Sequence, residues 1–300
     1  MLKRLAFLLT IILTNISFSQ SYLGLSVDND LYFGTDRYYS SGIFVGYGKR
    51  LPERKKDSLK GAIRTTHWTF GQEITTPHLR LTRDLNKIDY PYNGWLFLGY
   101  LQEVFQTPKK GYGFGIEMGM TGAEVSLAKP VQNTYHQLVL GLPSLSWVAT
   151  QVQALHVNVL ATFYESIAWK KQLNWVFYGR GELGTFQTTL LSRFGLQWST
   201  FEGLPFFGQR LENLTSGTAF YVGVQGEYRA HDYAVAGSMF QENGALAVEA
   251  VPFKQEWEVG FLFQKKDWRA LVLYNNASKD IATQRFSRHQ YLNISLIKLF

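Results

Sequence analysis

From residue 21 onward the chain is built from short segments whose side chains alternate in character, each closed by Gly, Asn, Asp, Pro or Lys. In Leu292-Asn293-Ile294-Ser295-Leu296 one face is bulky and apolar and the other polar. A period of two places successive side chains on opposite faces of a β-strand. The segments run Ser21 to Asp28, Ser40 to Leu51, Ile63 to Thr75, Tyr92 to Gln106, Gly111 to Thr121 and Gln151 to Trp169. They continue with Gln172 to Leu183, Gln187 to Ser199, Thr218 to Arg229, Gln255 to Phe263, Arg269 to Asn276 and Gln290 to Phe300. This makes about twelve strands, an even number as in bacterial single-chain barrels, and many reach the roughly 9–11 residues that a tilted strand needs to cross a bilayer. Lipid cannot satisfy an unpaired sheet edge, so strands that cross it must close. The expected fold is all-β: a transmembrane antiparallel β-barrel.

Aromatic residues make up 16% of the chain and charged residues only 18%, a combination that soluble folds seldom show. A secreted β-sandwich or lectin would explain the alternation. It would not explain the aromatic load together with a leader and the last residues, Leu299 and Phe300, an aromatic carboxyl end that resembles the assembly signal of outer-membrane barrels. The leader is Met1 to about Ser19: Lys3 and Arg4 form a charged region, Leu5 to Ile16 an apolar one, and Ser17-Phe18-Ser19 a small-residue exit. Residues 1–20 are accordingly set aside as a signal peptide, and 21–300 as one barrel domain. The absence of cysteine excludes disulfide frameworks, zinc–thiolate sites, cysteine nucleophiles and cysteine lipidation. A formal charge of +7, spread along the chain, points to anionic headgroups such as phosphorylated glycolipid rather than nucleic acid.

With both termini in the periplasm, the connections after odd-numbered strands face the exterior and should be the longer ones. Asn29 to Tyr39, Thr76 to Pro91 and Gly122 to Thr150 are long, whereas Thr107 to Lys110 and Lys170-Lys171 are tight. Pro52 to Ala62 and Thr200 to Gly217 break the pattern and have no evident role. The run Arg54-Lys55-Lys56 reads as a solvated turn.

The first exterior segment carries Asp28-Asn29-Asp30, by itself an ordinary Asx-rich turn. Alternation with Leu23, Leu25 and Val27 places Asn29 on the lipid-facing side at the outer rim. Asp30 beside it could bind a hard divalent cation through oxygen. Register does not decide whether Ser40 or Ser41 joins them. The third exterior loop contains Gln132-Asn133-Thr134-Tyr135-His136. Five other histidines occur, at 67, 78, 156, 231 and 289, but topology brings His136 to the rim that holds Asn29 and Asp30. A neutral imidazole suits proton abstraction from a water attacking an ester.

The ordered set Asn29-Asp30, Thr35-Asp36-Arg37-Tyr38-Tyr39-Ser40-Ser41-Gly42, Gly71-Gln72-Glu73-Ile74-Thr75-Thr76-Pro77, Pro91-Tyr92-Asn93-Gly94-Trp95 and Gln132 to His136 resembles the lipid A 3′-O-deacylase family of outer-membrane proteins. The motifs cover the first half; the second half shares barrel periodicity. The resemblance implies a twelve-stranded barrel in the bacterial outer membrane that hydrolyses the 3′-linked acyloxyacyl ester of lipid A with calcium. It makes His136 the general base and places Asn29, Asp30 and Ser40 in the catalytic site, with Asp30 a candidate to hold the metal. Ser40 stands where the family usually has threonine, which keeps the hydroxyl. Asn93 replaces the alanine of the usual Pro-Tyr-Ala-Gly stretch, and a lysine that follows Thr-Pro in some members has no clear counterpart. Arg80, Arg83 and Lys87 are the alternatives for that cation, with Arg83 taken as the substrate contact. The expected partners are lipid A or lipopolysaccharide and the outer membrane itself, with the barrel a monomer and no nucleic acid bound. An outer-membrane phospholipase would share the same site logic, and a non-catalytic small barrel or porin would share the strand pattern.

Overall fold

The computed structural model describes residues 20–52, 61–208, 211, 216–240 and 244–300. The signal-peptide reading falls almost wholly outside these residues, and Arg54-Lys55-Lys56 entirely so. Twelve strands run β1 (Ser21–Asn29), β2 (Tyr38–Arg50), β3 (Ile63–Thr76), β4 (Asn93–Thr107), β5 (Lys110–Thr121) and β6 (Ala154–Lys170). The remainder are β7 (Leu173–Gly184), β8 (Gln187–Ser199), β9 (Gly217–Asp232), β10 (Phe253–Lys265), β11 (Trp268–Ser278) and β12 (Arg288–Leu299). Each pairs antiparallel with its sequence neighbours, and β1 closes on β12 from Tyr22↔Leu299 to Asn29↔Leu292, so the barrel has no free edge.

Strand β10 shows why these residues close into a barrel. Trp257, Val259, Phe261 and Phe263 point outward and are exposed, while Glu256, Glu258, Leu262 and Gln264 point inward and are buried. An outside this apolar suits hydrocarbon, and the inward polar groups find partners across the lumen. Arg193 pairs with Glu258 at 2.7 Å, Arg180 with Glu117 at 2.9 Å and Glu182 at 2.7 Å, and His67 with Glu103 at 2.7 Å. Trp169, Trp198 and Trp268 lie at strand ends beside the terminal-side connections, forming part of an aromatic girdle. Among the described residues no helix is long and apolar enough to cross a membrane; the strands do so.

At the end that carries the termini, β4–β5, β6–β7 and β10–β11 are joined by two-residue turns, two of which contain a left-handed residue, Gln172 (φ 67°) and Lys266 (φ 54°). The connections after β2 and β8 are longer, and the second packs against the barrel. Leu204 and Phe206 fold into the barrel mouth against Phe105, Tyr164, Val176, Tyr221 and Leu262, and Leu211 packs on Tyr22, Ile297 and Leu299. At the opposite end Trp95, Phe97, Phe186 and Tyr233 form a second apolar layer. A lumen cavity of about 520 Å³ lies between, lined by Glu73, Glu117, Arg180 and Glu182 among others.

The connections at the loop end pack on one another. The β5–β6 connection contains helix α1 (Ala128–Tyr135) and a π-helical turn over His136–Leu140, closed by Gly141 at φ 65°. Pro130 is tolerated because it sits in the first turn of α1. A second short helix, α2 (Tyr233–Ala236), follows β9 and begins with the Asp232 carboxylate accepting from Ala234 N–H.

Candidate active site at the loop end of the barrel

Asp36 organises the site. It lies in the connection between β1 and β2, where Leu31–Phe33 form one 3₁₀ turn closed by Gly34 at φ 67°. Its Oδ2 lies 2.8 Å from His136 Nε2 and 3.1 Å from Arg80 Nε. Its Oδ1 accepts from Ser40 Oγ at 2.7 Å and from Gln132 Nε2 at 3.5 Å. Asp36 and His136 are 4% and 2% exposed, so the pair is shielded from bulk water and strongly interacting. Burial pushes the Asp36 carboxyl up, but hydrogen bonds from His136 and Ser40 and the charge of Arg80 outweigh it and hold the group below the usual carboxylate range. With Nε2 occupied by Asp36, His136 Nδ1 is buried and has no hydrogen-bond partner.

The β2–β3 ladder shifts register between Tyr39 and Ser41, so Ser40 is the extra residue of a bulge. A bulge suspends the period of two, which is why alternation could not choose between the serines. Ser40 is the one buried against Asp36, and Ser41 instead pairs with Asn29 and Ile74 in the ladder.

Asp30 adjoins this cluster. Its Oδ2 accepts from Thr35 Oγ1 at 2.8 Å and Arg37 N–H at 2.9 Å, while its Oδ1 is buried without a partner. Burial pushes its carboxyl up to about 7 despite those hydrogen bonds, and Asp36 adds repulsion. An orphaned, buried carboxylate oxygen fits a hard cation. Among the described residues no group of three or more His, Cys, Asp or Glu side chains is arranged to hold a metal, so carbonyls and water would complete such a shell. Asn29 sits beside Asp30 at the end of β1, where its Oδ1 accepts from Leu31 N–H at 2.7 Å and shapes the turn.

Of the three cations considered, Arg80 reaches the cluster: besides the ion pair, its Nη1 donates to the Asp36 carbonyl at 3.3 Å. Arg83 is exposed on the same connection, and Lys87 pairs with Asp84 at 3.2 Å. Asp36 and Gln132 lie within the ordered motifs, but the sequence alone gives neither a role. Only a fold that joins two loops about a hundred residues apart exposes their contact with Ser40 and His136.

The family model described as "Outer membrane protein LpxR" matches residues 5–300. The chain belongs to the LpxR family of outer-membrane proteins, the lipid A 3′-O-deacylase family that its motifs resemble. LpxR from Salmonella typhimurium has the same fold, with a TM-score of 0.73 at 18% identity, covering 93% of this chain and 100% of that one. The β domain of the Bordetella autotransporter Brka gives a TM-score of 0.49 at 9% identity, covering 93% and 98% of the two chains. No curated protein sequence matches the chain. Membership in the LpxR family and the closed barrel make this an outer-membrane protein of the lipid A deacylase class.

Proposed function

We propose that this chain hydrolyses the 3′-linked acyl or acyloxyacyl ester of lipid A in the outer leaflet, with His136 as general base. The observation that carries the reading is the buried Asp36–His136 pair, which leaves one imidazole nitrogen, Nδ1, without a partner. A carboxylate on one ring nitrogen sets the tautomer: Nε2 keeps its proton and donates it to Asp36, and the buried Nδ1 lone pair takes a proton from a water admitted with the substrate. That water attacks the ester carbonyl carbon and forms a tetrahedral adduct. Nδ1 then returns the proton to the sugar oxygen as the acyl C–O bond breaks, releasing a fatty acid and a free 3′-hydroxyl. Asp36 remains ionised throughout and stabilises the imidazolium.

Ser40 donates its hydroxyl proton to Asp36, which suits a positioning residue rather than a nucleophile. Arg80 and Gln132 hold the other sides of the same carboxylate. Asp30 is the side chain that would hold a calcium ion, which when bound would offset negative charge developing on the ester oxygen. Asn29 fixes the backbone turn that presents Asp30.

Offering the refolded barrel lipid A and phosphatidylethanolamine in separate micelles, with calcium, tests the substrate assignment. Acid released from lipid A alone is expected. Release from the phospholipid alone would replace this reading with a phospholipase.

A further inference from the structure

Arg37 follows Asp36, and its backbone N–H donates to Asp30, so its side chain leaves from the wall of the site just described. The guanidinium carbon lies 3.7 Å from the centroid of the Phe286 ring, on the connection between β11 and β12. Arg285 stands 6.0 Å from the same centroid, and His78 packs edge-on against that ring at 4.9 Å. Three basic side chains from three loops thus surround one aromatic ring.

The acids facing this cluster are engaged elsewhere. Asp89 accepts from His78 N–H at 3.0 Å, Tyr38 Oη at 2.9 Å and Arg285 N–H at 3.2 Å. Asp36 holds Arg80 and His136, and Asp30 accepts from Thr35 and the Arg37 backbone. Arg80, Arg180, Arg193 and Arg229 each have a carboxylate partner. The side chains of Arg37 and Arg285 have none among the described residues, and Arg37 Nε is buried without an acceptor. Burial and the charges of Arg37, Arg285 and Arg80 hold His78 below its usual range despite the opposing pull of Asp89, so the local field is positive. A guanidinium clamped on a ring, its fork unoccupied and a second one beside it, is preorganised for an anion with several oxygens. Phosphate monoesters, with up to two negative charges near neutrality, fit that requirement better than a carboxylate.

We propose that the Arg37–Phe286–Arg285 cluster binds a phosphate monoester group of the glycolipid and makes the enzyme prefer phosphorylated substrate. The proposal rests on the lipid A reading above and adds a recognition subsite to it.

The test uses binding, so that it does not depend on turnover. The barrel carrying His136→Ala, refolded in detergent, is titrated with bisphosphorylated lipid A and with the same lipid chemically stripped of phosphate. The titration is repeated with Arg37→Gln and Arg285→Gln added, and folding is checked by heat-dependent gel mobility. The preference for the phosphorylated lipid should fall about tenfold or more in the triple variant, as expected for lost charge-assisted hydrogen bonds. Arg285 is exposed, so Arg285→Gln alone carries the test should Arg37→Gln impair folding. A preference equal to that of the parent would overturn the proposal. Lack of hydrolysis by the wild-type barrel would overturn the enzymatic reading while leaving this binding ratio interpretable.

Discussion

His136 Nε2 and Asp36 Oδ2 lie 2.8 Å apart, each side chain almost sealed from solvent, although one comes from the β1–β2 connection and the other from the turn that follows α1. Two predictions rest directly on this contact.

His136→Ala removes the group that takes the proton from water. Initial rates on lipid A should fall by about 10²–10⁴. The loop carries the residue and the strands carry the fold, so heat-dependent gel mobility should still show a closed barrel. A variant that retains a tenth or more of the wild-type rate would remove His136 from the mechanism.

Asp36→Asn keeps the shape but removes the charge that fixes the His136 tautomer. In a positioning role its loss lowers kcat by about 10²–10⁴ with KM within a few-fold of the parent. Steady-state kinetics on dispersed lipid A separate the two constants. A rise in KM with kcat intact would place Asp36 in substrate binding instead.

Calcium dependence should be steep below neutrality. Asp30, pushed up to about 7 by burial, is protonated below that pH in the calcium-free fold, so a cation must displace the proton to bind. The half-saturating calcium concentration should rise by up to about tenfold per pH unit below 7 and flatten above it. In calcium-free protein the same raised value makes a stability contribution that is full below the ordinary carboxylate range and lost as pH rises through about 7. Calcium titrations of activity at pH 6 and pH 8 check this, and full turnover in excess chelator would remove the metal from the account.

The plugged lumen should not conduct. Leu204 and Phe206 seal the terminal end against Phe105, Tyr164 and Tyr221, and Trp95, Phe97 and Phe186 close the other. Wild-type barrels in planar bilayers should therefore show no open-channel current, and Leu204→Ser with Phe206→Ser should admit intermittent conductance. Porin-like currents from the wild type would contradict this packing.

The barrel was legible in the sequence because a period of two records which face of each residue meets lipid, and lipid enforces that record on every strand. Errors collect at strand ends, where hydrocarbon no longer constrains the pattern: β6 begins at Ala154 rather than Gln151, and β9 runs to Asp232. Ordered motifs singled out Asn29, Asp30, Ser40 and His136, and the structure brings these residues to one end of the barrel. Helix α1 was not legible, since its eight residues include Pro130 and only Ala128 and Gln132 are buried. The contacts of Asp36, Arg80 and Gln132 were hidden for another reason. They form between separate loops, and neither the bulge at Ser40 nor the turn that brings Arg80 to Asp36 leaves a periodic trace.

The most direct test of the central claim is mass spectrometry of purified lipid A incubated with detergent-refolded protein and calcium, beside His136→Ala. The account predicts a mass loss equal to the 3′ acyloxyacyl group with the wild type and none with the variant. Intact lipid A after incubation with a folded wild-type barrel, across several lipid A types, would contradict it.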